Sequence, residues 1–197
     1  MTLPLVLASS SPYRRLLLQR LQLPFACASP DVDETPLADE NIEAMTLRLA
    51  TAKARALAAR HPQALIIGSD QACLRAGDHR IIGKPGNFEA ARQQLLACSR
   101  QSVCFHTSLV LLNSSTGTVQ SSHDVFIVHF RQLSDAEICR YLQLEQPYDC
   151  AGSFKAEGLG IALFERMEGK DFHSLIRLPL ISLCHLLRHN GLDPLAP

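Results

Sequence analysis

Two long β-rich runs lie next to each other near the middle of the chain, and they constrain the fold more than any other feature. They are SVCFHTSLVLLN (102–113) and TVQSSHDVFIVHF (118–130), and the residues between them, SSTG, favour a turn. This pattern predicts a long antiparallel hairpin. Because strands alternate with helices elsewhere in the chain, the hairpin interrupts a pattern typical of parallel strands. We therefore expect an α/β fold with a mixed central β-sheet flanked by helices.

Strand and helix patterns alternate around this hairpin. An apolar strand at 5–8 precedes a helix at about 11–21, and a second strand at 64–74 follows the longest predicted helix, at 41–60. Further helices are predicted over the segments GNFEAARQQLLACS, LSDAEICRYLQ and LPLISLCHLLRHNG. No repeat, linker or low-complexity tract interrupts the sequence. We therefore expect one domain over residues 1–197, which is long enough to bury a sizeable core.

Composition and charge argue against several classes of protein. The 19 basic and 19 acidic side chains cancel, so no strong field attracts nucleic acid or an anionic membrane. The start, MTLPLVLASSS, lacks a secretory pattern, and no window approaches 18 uninterrupted apolar residues. The seven cysteines are scattered without a CxxC pair, and the eight histidines lack an HExxH spacing. We expect a cytoplasmic protein without a disulfide framework or a structural zinc site.

The stretch LPLVLASSSPYRRLL (3–17) places two arginines where a helix should begin, although positive charge is unfavourable there. Ser11 suits the N-cap and Pro12 the first helical position, so the first turn presents unpaired backbone N–H groups. An anion at this turn would explain Arg14 and Arg15, because guanidinium groups bind phosphate in a bidentate manner. Alternatively, both arginines extend into solvent or pair with acids. Spacing alone supports the two readings equally.

Carboxylates in two segments are candidates for catalysis or metal binding. Asp70 follows the apolar run 65–67, and ligands of open α/β sheets gather at the carboxyl ends of strands. An aspartate that caps a turn is the alternative. The segment SPDVDETP packs Asp31, Asp33 and Glu34 together, which is unfavourable unless they are solvated or share a cation. Spacing alone favours a surface loop for this segment.

Two lysines and a glycine-rich segment complete the candidates. Lys53 lies on the longest predicted helix and Lys84 in GKP, and either residue is by default solvated. The segment CAGSFKAEGLG (150–160) lacks both the GxxxxGK[ST] order and the GxGxxG order of phosphate-binding loops. A binding loop and a plain turn therefore both stay open.

Taken together, these segments resemble the Maf family of nucleoside triphosphate pyrophosphatases. The similar motifs follow in order along nearly the whole chain: LASSSPYRR, DVDET, TAKARALA, IIGSDQ, GKP, FHTSL, AGSFKAEGLG and LPL. Within the family, the chain looks most similar to the YceF-like subgroup, which acts on 7-methyl-GTP. The resemblance implies a Maf/ITPase-like fold of two lobes with a cleft between them, and a homodimer.

The resemblance also implies a reaction. A nucleoside triphosphate would be hydrolysed at the α-phosphate to the monophosphate and pyrophosphate, with Mg²⁺ or Mn²⁺ neutralising the phosphates. Asp70 would accept the proton from water, and Glu34 would lie with Asp70 near the metal. The residues implied to line the phosphate path are Ser9, Arg14, Lys53 and Lys84. Phosphoryl displacement mainly needs charge neutralisation and a positioned water, which these residue types can supply.

Base selection in the family is attributed to positions that match Tyr13, Gln71 and Glu157. N7-methylation leaves guanine cationic, and a cation is favoured by an aromatic face and a nearby carboxylate. Three positions depart from the family pattern that the resemblance implies. Tyr13 stands where tryptophan is expected, and His173 and Arg177 stand where asparagine and glycine are more common. Arg177 would either reshape a loop near the pocket or add a phosphate contact.

Two alternatives to 7-methyl-GTP hydrolysis stay open. One is the same reaction on dTTP, UTP or another noncanonical nucleotide. The other is a nucleotide-binding regulator of cell division without turnover. The presence of Asp70, Lys53, Lys84 and Glu34 together argues against loss of turnover.

Overall fold

The computed structural model describes residues 3–78 and 80–196. The strands are β1 (Leu5–Ala8), β2 (Phe25–Ala28), β3 (Leu65–Arg75), β4 (Arg80–Ile81), β5 (Ser102–Asn113), β6 (Thr118–Phe130) and β7 (Phe164–Gly169). The helices are α1 (Pro12–Gln19), α2 (Ile42–Ala56), α3 (Phe88–Cys98), α4 (Asp135–Glu145), α5 (Phe172–Leu175) and α6 (Leu180–His189). Short 3₁₀ turns cover Ala151–Ser153 and Leu159–Leu163. Among the described helices none is long and apolar enough to cross a membrane.

The central sheet is mixed, as predicted. In the described part of the chain it has seven strands in the order β2-β1-β3-β5-β6-β7, with β4 paired to β3. Strand β1 is parallel to both β2 and β3, whereas the pairs β3–β4 and β6–β7 are antiparallel. The connection between β5 and β6 is far too short for a parallel crossover, so these strands form the predicted hairpin.

The chain divides into two compact units. The first contains the described residues of Met1–Gln71, His106–Asp124 and Asp171–Pro197, and the second those of Ala72–Phe105 and Val125–Lys170. A single domain over residues 1–197 and a cleft between two lobes stay predictions.

In the first unit, strand alternation divides the apolar core into two clusters. Leu5, Leu7, Leu65 and Ile67 belong to a cluster that includes residues of α1 and α6. The residues between them, among them Val6 and Ile66, belong to a second cluster with α2. Because successive side chains of a strand point to opposite faces, both faces of β1 and of the start of β3 are buried. This explains the continuous apolar runs in the sequence.

Gly68 lets α2 lie close against β3 within this unit. A Cβ atom at position 68 would lie 2.1 Å from the carbonyl oxygen of Ala50, far inside van der Waals contact. Ala50 and Ala54 are fully buried at the same contact. Lys53 belongs to this turn of α2, so the absence of a side chain at Gly68 helps to bring its ammonium group to β3.

In the second unit, a capping box and an aromatic cluster organise the chain. Ser134 and Glu137 form both hydrogen bonds of the predicted capping box at the start of α4. Four phenylalanine rings pack edge to face at centroid distances of 4.9 to 5.8 Å: Phe105, Phe130, Phe154 and Phe164. Since Phe154 lies inside the glycine-rich segment, the cluster anchors that segment to β5, β6 and β7.

The sequence predictions failed mainly for short elements. Strands β2 and β4 and helix α5 were not predicted, because each has only two to four residues and, unlike β1, is not a continuous buried apolar run. Helix α1 ends at Gln19 rather than near residue 21. All seven cysteines are free.

Candidate active site

Lys53 bridges two carboxylates in the first unit. Its Nζ lies 2.6 Å from Asp70 Oδ1 and 2.6 Å from Glu34 Oε1. Lys53 and Asp70 are buried, whereas the side chain of Glu34 is 60% exposed. The acidic segment is therefore more than the surface loop that spacing favoured. Asp33 bonds within the loop to Thr35, while Glu34 shares a cation with Asp70.

Asp70 lies inside β3, within the strand predicted over 64–74, so it follows the apolar run 65–67 but does not lie at the end of β3. Strand β3 continues to Arg75, because the segment after the apolar run still has strand pairing, to β4. However, the pairing of β3 with β1 ends at Ile67. Asp70 therefore lies beyond the carboxyl end of β1, and the argument for a ligand site applies to that strand. Ser9, which follows β1, is buried and accepts a hydrogen bond from the Ser11 N–H at 3.1 Å.

Arg14 points into the protein, and Arg15 does not. Ser11 caps α1 and Pro12 occupies its first turn, as predicted. Arg14 is buried and its Nε donates to the carbonyl oxygen of Arg177 at 3.0 Å. Burial lowers the pKa of Arg14 to about 10, although nearby Asp70 and Glu34 oppose the change, so the guanidinium is still charged at neutral pH. Arg15 is exposed.

Burial raises the pKa of Asp70 above the ordinary aspartate value, although Lys53 and Arg14 both act to lower it. A carboxylate whose pKa is shifted toward neutrality is a stronger base than a solvated one. The hydrogen bond from Lys53 to Oδ1 fixes the orientation of the carboxylate. Asp70 is thus suited chemically to accept a proton.

The chemistry of two carboxylates in this site fits a divalent ion that has further ligands from outside the protein. Among the described residues, no group of three or more His, Cys, Asp or Glu side chains is arranged to bind a metal. Asp70 and Glu34 nevertheless reach the same ammonium group, so their oxygens converge on one cation. Mg²⁺ is commonly held by one or two carboxylates, with phosphates and water as its other ligands. The two carboxylates therefore suit Mg²⁺ or Mn²⁺ in a site that leaves the other ligand positions open.

Gln71 is held by the segment that contains α5. Its amide nitrogen donates to Thr107 Oγ1 at 2.9 Å and to the carbonyl oxygen of Ser174 at 2.8 Å. A third contact, to the carbonyl oxygen of Leu175, is 3.2 Å long. With its N–H groups occupied in this way, Gln71 can offer a base only its own carbonyl oxygen as an acceptor.

Arg177 adopts a backbone conformation that favours glycine. Its φ is +83°, in the left-handed region, which costs a non-glycine residue about 1–2 kcal/mol. This conformation is compatible with the glycine that the family resemblance led us to expect at this position. Its carbonyl oxygen accepts hydrogen bonds from Arg14 Nε and from Ser69 Oγ, at 3.0 and 3.1 Å. Two side chains therefore support the unusual conformation.

The Arg177 side chain lies over Tyr13. The central guanidinium carbon is 5.2 Å from the centroid of the tyrosine ring, which is a cation–π distance. Tyr13 is the residue expected to stack on a base. Sequence reasoning singled out both residues but not their contact, because nothing local connects positions 13 and 177.

The imidazole ring of His173, in α5, contacts Asp171 and Arg20. Its Nδ1 is 2.8 Å from Asp171 Oδ1, and its Nε2 is 3.1 Å from Arg20. Asp171 also caps α5 and accepts from the Ile181 N–H at 2.8 Å. Sequence reasoning missed Asp171, although an aspartate just before a short helical pattern is an N-cap signal. It also missed Ser69 and Thr107, which lie inside the quoted motifs IIGSDQ and FHTSL.

Lys84 and Glu157 belong to the second unit. Lys84 is exposed and lines a pocket of about 450 Å³ together with Arg75, Arg80 and Gln94. Glu157 is exposed in the glycine-rich segment, where Lys155 Nζ donates to the carbonyl oxygen of Glu145 at 3.0 Å. The roles of Lys84 in phosphate binding and of Glu157 in base selection stay predictions.

Comparison with known proteins agrees with this architecture. A HAM1 protein from Coxiella burnetii is similar over 95% of this chain and 100% of that chain, with a TM-score of 0.56 and 18% identity. A Staphylococcus aureus Ham1 protein is similar over 64% of this chain and 71% of that chain, with a TM-score of 0.46 and 15% identity. The first of these establishes the shared α/β fold. A model of the Maf-like protein family matches residues 4–190, and because it spans most of the sequence, the chain belongs to that family.

Proposed function

We propose that the chain is a nucleoside triphosphate pyrophosphatase, which hydrolyses its substrate to a nucleoside monophosphate and pyrophosphate. The observation that carries this proposal is the contact of Lys53 with Asp70 and Glu34 beside the buried Arg14. Two cations and two carboxylates at one place can bind phosphate oxygens and still offer a base. Membership in the Maf-like family supports the same reaction.

In the proposed reaction, Asp70 accepts a proton from a water molecule while the oxygen of that water attacks the α-phosphorus. The bond from that phosphorus to the bridging oxygen of the β-phosphate breaks, and pyrophosphate leaves with the bonding electrons. Lys53 and Arg14 neutralise the charge of the phosphates, and Ser9 lies next to the start of α1 to bind one of them. A raised pKa of Asp70 supports its assignment as the base.

Mg²⁺ or Mn²⁺ at Glu34 and Asp70 would supply further charge neutralisation on the phosphates. When such an ion binds, Lys53 would keep only part of its contacts with the two carboxylates. Its ammonium group would then be able to turn toward a phosphate oxygen. A homodimer and a cytoplasmic location are further proposals from the resemblance.

For the base we propose two candidates, and the first is 7-methylguanine, as in the YceF-like subgroup. The support is the residue types at Tyr13, Gln71 and Glu157, where an aromatic ring and a carboxylate favour a cationic purine. Gln71 would accept a hydrogen bond through its carbonyl oxygen, since its N–H groups bond to Thr107 and to the backbone.

A neutral base, as in GTP, UTP or dTTP, is the second candidate. The observation in its favour is the guanidinium of Arg177 over the ring of Tyr13. A positive charge at that ring disfavours a second positive charge on the base.

The test is a panel of nucleoside triphosphates, 7-methyl-GTP among them, with Mg²⁺ or Mn²⁺. Release of pyrophosphate and monophosphate in equal amounts supports the proposal, whereas release of inorganic phosphate alone contradicts it.

Asp70→Asn should lower kcat about a hundredfold or more, because general base catalysis commonly contributes that much. Asp31→Asn, which changes an exposed acid near Glu34, is the matched control and should keep full activity. Nucleotide binding without turnover by the unmodified protein would favour the regulator instead.

A further inference from the structure

Arg177 combines a fixed backbone with a side chain directed at a predicted substrate contact. Hydrogen bonds from Arg14 and Ser69 hold its carbonyl oxygen, and its own N–H donates to Ser174 at 3.1 Å. The side chain, which is half-buried, has its guanidinium over the ring of Tyr13. These contacts fix the backbone of Arg177, and the ring of Tyr13 is the contact of its side chain.

The guanidinium of Arg177 lies near a second guanidinium, that of Arg14, whose charge Asp70 and Glu34 partly balance. No salt bridge joins Arg177 to a carboxylate in residues 3–78 and 80–196. It lies near enough to Arg14 for the two charges to repel each other. A further cation stacked on the Tyr13 ring would therefore meet the guanidinium of Arg177 at short range.

We propose that Arg177 determines base specificity by excluding cationic bases from Tyr13 and by binding neutral bases that carry carbonyl acceptors. This inference rests on the proposed function, since it concerns the substrate of that site. A planar guanidinium can stack on a base and can donate to acceptor atoms such as guanine O6 and N7. Methylation of N7 removes one of these acceptors and gives the ring a positive charge. Both changes act against binding beside Arg177.

The backbone conformation of Arg177 allows its side chain to be removed without new backbone strain. Glycine adopts a φ of +83° without strain, so Arg177→Gly should keep the backbone of the segment and its hydrogen bonds. Arg177→Lys keeps the charge but lacks the planar fork. Arg15→Ala removes an exposed cation from α1, two residues after Tyr13, and is the matched control. Thermal unfolding of each variant verifies that it is folded.

The experiment compares kcat/KM for 7-methyl-GTP with kcat/KM for GTP in each protein. We expect Arg177→Gly to raise the ratio of the first to the second by roughly tenfold or more, since a nearby like charge is removed. Arg177→Lys should leave the ratio within about threefold of the unmodified protein while it weakens GTP turnover. Arg15→Ala should change neither value.

Two results would overturn the inference. One is an unchanged ratio in Arg177→Gly. The other is an equal loss of kcat/KM for every nucleotide, because that pattern indicates a phosphate contact instead of base selection. Calorimetric binding of GMP and 7-methyl-GMP provides the same ratio without turnover. If the protein binds these nucleotides but hydrolyses no triphosphate, the proposed function fails while the inference is still tested; if it binds neither, both fail.

Discussion

Two clusters in the molecule each contain one cation and two carboxylates, yet their surroundings give them opposite properties. In the first unit Lys53 contacts Asp70 and Glu34, each at 2.6 Å. In the second unit Arg92 contacts Asp135 at 2.6 Å and Glu89 at 3.1 Å. The side chain of Lys53 is 8% exposed and that of Arg92 is 28% exposed.

Burial reverses the direction of the pKa shifts in these clusters. The pKa of Asp70 is raised by burial in spite of its partner, whereas the hydrogen bond from Arg92 lowers the pKa of Asp135. The surface cluster therefore holds its carboxylate in the charged form. In the buried cluster, Lys53 favours the charged form of Asp70, but burial disfavours that form more strongly. Only the second condition produces a usable base.

The largest expected difference between the clusters concerns loss of the cation. Lys53→Met leaves Asp70 buried without its partner, and such a change costs about 3–5 kcal/mol of unfolding free energy. Arg92→Met exposes two carboxylates that water already solvates, so its denaturation midpoint should hardly move. Urea denaturation of both variants measures the difference. Equal shifts would contradict the assigned role of burial.

A second prediction concerns the spacing that brings Lys53 to Asp70. Gly68→Ala puts a methyl group against the carbonyl of Ala50, which should destabilise the protein by about 1–3 kcal/mol and move α2 away from β3. Pyrophosphate release should fall as well, because Lys53 moves with the helix. Gly83→Ala is the control, since a Cβ atom there meets nothing within 4 Å. A stable and fully active Gly68→Ala would show that the close approach is not required.

The third prediction uses pH. Because the pKa of Asp70 is raised on folding, its favourable contribution is complete below the unfolded pKa of about 3.8 and is lost as pH rises through the folded pKa. Asp135 has a lowered pKa, so its contribution is present above that value and is lost as pH falls. From about pH 3 to pH 6, the unmodified protein should lose stability relative to Asp70→Asn and gain stability relative to Asp135→Asn. Denaturation midpoints across this range measure both slopes, and slopes of the same sign would contradict the comparison.

The smallest expected effect concerns Arg177, a cation whose guanidinium lies over the ring of Tyr13. Tyr13→Ala removes the ring below Arg177 and should change the preference between 7-methyl-GTP and GTP by roughly threefold to tenfold. Steady-state kinetics with the two nucleotides measure the change. If the variant kept full discrimination, Tyr13 would have no part in base selection.

Local patterns predicted much of this structure. The hairpin strands at 102–113 and 118–130 and the capping box at Ser134 depend on residues close together in the sequence, and all were found where expected. The α/β class followed from the order of these elements. Strand β2 escaped prediction because FACA is short and only partly buried.

The candidate site was predicted less completely, because its contacts are not local. The grouping of Glu34 with Asp70 came from the family resemblance, since spacing alone favoured a surface loop. The strand over 64–74 was predicted, but its pairing with β4 was not, because β4 has too few residues to be visible in a pattern. The contact of Arg177 with Tyr13 joins residues 164 positions apart, and no periodicity reports such a contact.

The left-handed backbone at Arg177 also bears on how this protein could evolve. Every arginine codon is one base substitution away from a glycine codon, and glycine is the residue that this backbone conformation favours. A single mutation could therefore remove the guanidinium and at the same time relieve the strain of the loop. Most changes of specificity must overcome a loss of stability, but at this position the route to a different substrate would run downhill in folding energy.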